Sequence, residues 1–124
     1  MLKKIAMIYG IIFIVIGILG FIPVFTPNGL LLGMFMVNGL HNIIHLVTGV
    51  VAVWIGKKKP MASRPFFKVF GVIYAIVAIL GFFYQENPIF GLIANNPSDT
   101  WLHVVIALIT LYLGYWYKDK KERR

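Results

Sequence analysis

The sequence predicts an all-α protein: a four-helix transmembrane bundle made of two tandem, parallel-repeat helical hairpins, with the N and C termini in the cytoplasm. Three observations predict it. Four apolar runs are each long enough to cross a bilayer, the basic residues collect at the two ends and the middle of the chain, and the two halves align on one another.

Of the 124 residues, 60% are apolar and only 13% are charged, which is far from an ordinary soluble domain. A hydrocarbon core of about 30 Å needs roughly 20 apolar residues per helix. Ile5 to Phe25 is the first uncharged run. Lys3 and Lys4 before it give it the start of a signal peptide, yet it is longer than a usual signal core and no small-residue cleavage motif follows. It is therefore expected to stay as a span, with "FIPVFTPNG" as its end and turn. Leu30 to Gly56 is the second run, interrupted only by "NGLHNIIH". Phe66 to Tyr84 is the third, with Lys68 near its start, where a long side chain reaches back to the interface. Thr100 to Tyr117 completes the set. The expected organisation is one membrane domain over 1–124. Repeat one covers about 5–56 and repeat two about 66–117, with a basic loop at 57–65 and a basic tail at 118–124.

The net charge of +8 first suggests nucleic acid, but its distribution points elsewhere. All 12 basic residues lie at Lys3 and Lys4, at Lys57 to Lys68, or at Lys118 to Arg124; the loops around "TPNG" and "QENPIFGLIANNPSD" hold none. That is the positive-inside pattern, and it places both termini and the middle loop in the cytoplasm. The expected surroundings are a bilayer with anionic headgroups against the basic clusters, with no nucleic-acid partner. A homo-oligomer or a membrane partner protein stays open. With no cysteine, disulfides, thiolate metal sites and cysteine nucleophiles are excluded.

"GIIFIVIGILGF" (Gly10 to Phe21) aligns without gaps on "GVIYAIVAILGF" (Gly71 to Phe82). "NGLHNIIHLVTG" (Asn38 to Gly49) aligns on "NPSDTWLHVVIA" (Asn96 to Ala107), so that Asn38 pairs with Asn96, His41 with Asp99 and His45 with His103. Two spans per repeat return the chain to the same side. Parallel repeats of this kind are related by an axis along the membrane normal, and their matched residues meet near it.

At helical spacing, Asn38, His41, Asn42, His45, Thr48, Gly49, Ala52 and Gly56 form one polar or small face, and Asn96, Asp99, Thr100, His103, Ala107, Thr110 and Gly114 its counterpart. Each unsatisfied polar group in lipid costs several kcal/mol, so the two faces are expected to meet inside the bundle. Two readings stand. In the first, the polar residues only cap and pack helices: Asn96 caps, Pro97 starts the helix, Asp99 completes a capping box, and Asn38 caps likewise. Asn42 and Thr100 would support the same helix starts or stand behind the site. In the second, His41, His45, Asp99 and His103 bind zinc or another transition metal, because residues i and i+4 aim both donors from one helix face. The same imidazoles, titrating near pH 6.5, could instead pass or sense protons. A b-type haem between His45 and His103 is a lesser alternative, since no Lys or Arg at that end meets the propionates. No catalytic residue is expected: Ser63 and Ser98 lack a neighbouring base, and no phosphate-cradling glycine loop is present.

At "NGLHNIIHLVTG" and "NNPSDTWLHVVIA" the chain resembles a family of small bacterial four-helix membrane proteins known only as a domain of unknown function. The family pattern is Asn-x-x-His-x-x-x-His-Leu in the second helix and Asn-Pro-x-Asp-x-x-x-His in the fourth. Asn38, His41, His45, Asn96, Pro97, Asp99 and His103 fit it, and Val104 stands where Leu46 does in the first motif. The resemblance covers nearly the whole chain. It implies a bundle in a bacterial inner membrane and supplies no activity.

Overall fold

The computed structural model describes residues 1–118, so the basic tail, Lys118 apart, lies outside the described residues. Helix α1 is Leu2–Leu19. It stops short of the expected Phe25 because Pro23 and Pro27 follow. Proline lacks the N–H a helix needs and drives the residue before it into extended geometry. Ile22 has φ −97° and ψ 115°, and Pro23–Phe25 and Pro27–Gly29 form single 3-10 turns.

The apolar stretch after these turns is not helical. Strand β1 (Leu30–Leu31) pairs antiparallel with β2 (Phe35–Met36), turning through Leu32 and Gly33 at φ 55° and 75°. The second long loop repeats this design around an Ile89–Ile93 bridge, turning through Phe90 and Gly91 at φ 54° and 73°. The turn hydrogen bonds also correspond. Gly33 N donates to Leu30 O (2.9 Å) and Met34 N to Leu31 O (3.1 Å); Gly91 N donates to Pro88 O (3.0 Å) and Leu92 N to Ile89 O (3.0 Å).

Helix α2 is Gly39–Lys58, α3 is Ser63–Tyr84, and α4 is Pro97–Leu111, prolonged by a π-helical turn at Tyr112–Trp116. Four helical stretches, Leu2–Leu19, Gly39–Lys58, Pro60–Tyr84 and Pro97–Trp116, are long and apolar enough to cross a membrane. Ile8, Ile11, Val50, Val69, Ile79 and Leu108 are among the exposed large apolar residues. Such a surface belongs in lipid rather than water.

Helix α1 packs closely on α2 and α3 on α4, whereas α2 and α3 meet sparsely. Glycine sets the close contacts. A Cβ on Gly10 would stand 2.5 Å from the Gly49 carbonyl oxygen, and one on Gly49 would stand 2.5 Å from that of Gly10. Gly114 lies equally tight against the Lys68 backbone. Small residues allow such approach, and dispersion between the backbones then holds membrane helices together. The core near the termini is Leu2, Ala6, Ala52, Phe66, Phe67 and Leu113, followed by a layer of Phe13, Tyr74 and Ala107. Beyond that layer, toward the two long loops, His41, Asn42, His45, Asp99, Thr100 and His103 are buried, with Leu31, Ile89 and Ala94 closing that end.

Candidate metal centre

The polar layer is built from helix starts. Asn38 accepts from His41 N through its side-chain oxygen (2.9 Å), satisfying one of the orphan donors of α2. Its amide donates to Leu92 O (3.0 Å), across to the other long loop. Asn96 mirrors it: its side-chain oxygen accepts from Asp99 N (2.9 Å) and its amide donates to Met34 O (3.0 Å). Asp99 closes the capping box by accepting from Asn96 N (3.2 Å), and it also meets the backbone of Met36. Each helix start is thus fastened to the loop of the opposite half.

One turn deeper stand the histidines. His41, His45 and His103 are all buried, and each offers a ring nitrogen that lies within 4.8 Å of the other two. Ring centroids are 4.6 Å apart for His41–His45, 5.7 Å for His41–His103 and 6.3 Å for His45–His103. His41 Nδ1 lies 2.9 Å from Ala94 O. A carbonyl only accepts, so Nδ1 carries the proton, and the ring also meets the backbone of Met36. Both ring nitrogens of His45 and Nδ1 of His103 are buried without a hydrogen-bond partner among the described residues. Leaving such a group unsatisfied costs about 1–3 kcal/mol.

The trio borders a cavity of about 250 Å³ between α2 and α3. Ile43, Ile44, Val47, Phe70, Ile73, Val77 and Ile93 give it an apolar wall. Thr48 and Tyr74 also line it, their hydroxyls 3.0 Å apart.

A family model described as a domain of unknown function, DUF4383, matches residues 3–116. The chain belongs to the DUF4383 family. No curated protein and no solved structure matches it. In this DUF4383 chain the four residues expected to ligate separate into two groups. His41, His45 and His103 converge, while the Asp99 carboxylate is engaged at the helix start. Asn42 packs its side-chain amide on Gly20, the residue that ends α1, and Thr100 Oγ1 donates back to Asn96 O (3.3 Å). Sequence reasoning missed Tyr74, whose signal was a hydroxyl in mid-span where the first half has Phe13. It also missed Asn95, which donates to Gln85 O (2.9 Å) and ties off the end of α3. The doubled Asn of "NNPSD" was the available hint.

Proposed function

We propose that this membrane protein binds a divalent transition metal of the zinc class through His41, His45 and His103. The observation that carries the reading is His45: both its ring nitrogens are buried within a trio of converging imidazoles and have no hydrogen-bond partner among the described residues. Metal–nitrogen bonds of about 2.0–2.1 Å would draw the three donors together from their present spacing. His41 already has the support a ligand needs, since the Ala94 carbonyl fixes its tautomer. Three neutral imidazoles suit zinc, copper, nickel or iron, and leave one coordination position toward the cavity.

A proton relay is less well supported, because His45 has no hydrogen-bonded neighbour to pass a proton to. Haem fits poorly: the His41 ring, 4.6 Å from His45 and 5.7 Å from His103, stands where the macrocycle would lie. The purely structural reading is favoured by Asn38, Asn96 and Asp99, which all make cap bonds, but it leaves His45 unexplained.

The corresponding loops and caps support a tandem duplication about an axis along the membrane normal. The basic residues support cytoplasmic termini and a cytoplasmic 57–65 loop, in a bacterial inner membrane with anionic headgroups as lipid partners. The centre would then lie toward the outer face. Metal analysis of the purified protein tests the assignment. A bound transition metal should be present, absent from His45→Ala and His103→Ala, and retained in Asp99→Asn. Protein that is metal-free and indifferent to added zinc would overturn it.

A further inference from the structure

The cavity beside the histidines opens in an unusual direction. Its walls come mainly from α2 and α3, which meet sparsely. Ile43, Val47 and Ile73 belong both to its lining and to the exposed apolar surface of the bundle, so its mouth lies on the lipid-facing flank. Depth fixes what surrounds that mouth. Phe70, Ile73, Tyr74 and Val77 sit seven to fourteen residues into α3, which runs Ser63–Tyr84. At about 1.5 Å per residue they span the middle of the helix, well inside the hydrocarbon layer. A solute reaching this mouth must already be dissolved in the bilayer.

The interior matches such a solute. The wall is aliphatic and aromatic, and the three imidazoles and the Thr48–Tyr74 hydroxyl pair line it while presenting little polar surface to it. An apolar pocket with a few convergent polar groups is the usual form of a small-molecule site. An apolar cavity of about 150 Å³ already holds benzene, so about 250 Å³ admits a ring with a substituent.

We infer that the cavity takes a neutral, ring-sized lipophile from the bilayer core, whose single nitrogen or oxygen donor completes the coordination of a metal held by His41, His45 and His103. This rests on the metal centre proposed above. The ring replaces lipid against Ile43, Val47, Phe70 and Ile73, the donor atom takes the open position, and the Tyr74 oxygen, whose proton goes to Thr48 Oγ1, can accept from a second polar group of the guest. No covalent step is involved.

Cobalt(II), whose visible spectrum reports its coordination, replaces the metal in the detergent-purified full chain. Imidazole and 4-phenylimidazole serve as probes: they share a donor and differ by the ring the cavity should accept. The phenyl compound is expected to shift the cobalt spectrum at a concentration lower by about tenfold or more, through burial of its apolar ring. Val47→Trp and Ile73→Trp, which fill the mouth from opposite walls, should abolish that advantage while leaving the probe-free cobalt spectrum intact. Should either lose that spectrum, the smaller Val47→Phe and Ile73→Phe take its place. Equal potency of the two probes, or an undiminished phenyl advantage in both blocked variants, overturns the lipophile site and leaves the metal centre standing. A chain that takes up no cobalt overturns the metal centre, and this inference with it.

Discussion

Asn96 joins the start of α4 to the first long loop through one side chain. Its oxygen holds the first turn of α4, its amide holds the Met34 carbonyl, and its own N–H is taken by Asp99. Asn96→Ala should therefore cost about 1–2 kcal/mol, the upper range for loss of an N-cap, read as a lowered thermal midpoint in detergent. This much was legible in the sequence, because a capping box is local: Asn, Pro and Asp within four residues state their partners. The geometry of the histidine cluster was legible only in part. Four-residue spacing put His41 and His45 on one face, but the carbonyl that orients His41 belongs to Ala94, 53 residues away. Backbone acceptors leave no mark on side-chain identity. Nor could the motif "NPSD" say whether Asp99 would cap or ligate, since the same carboxylate suits both roles.

Among the elements, helix starts were easier to read than the segments between helices. Asn38 and Asn96 mark the starts of α2 and α4. The apolar stretch Leu30 to Val37 looked continuous with a span, yet it turns at Leu32 and Gly33 with positive φ. Hydropathy alone does not distinguish an apolar hairpin from a helix; here the glycine, placed where a left-handed backbone is needed, was the better guide. The small-residue faces were visible, and their consequence is quantitative. Gly49→Val should destabilise the protein by about 1–3 kcal/mol, the usual cost of overpacking, because its Cβ would meet the Gly10 carbonyl oxygen. Gly39→Ala is the control. Nothing lies within 4 Å of a Cβ there, so its thermal midpoint should change little, within about 0.5 kcal/mol.

For the whole molecule, the four spans were legible because length and hydropathy are imposed by the bilayer itself. The loose α2–α3 seam was not, since it depends on which side chains fail to meet across helices distant in sequence. Orientation is a prediction of charge alone. A reporter active only in the cytoplasm should work when fused after Arg124 and fail when inserted at Gly91 in the second long loop. The opposite pattern would reverse the proposed sidedness. The crossed caps also carry a consequence for biosynthesis. The first half leaves the ribosome with α2 complete, but the carbonyls of Leu92 and Ala94 that fasten Asn38 and His41 are still untranslated. Until they arrive, the start of α2 has no lock and His41 has no assigned tautomer. On the metal reading proposed above, ion capture would be a late event, reserved for chains whose translation has passed His103.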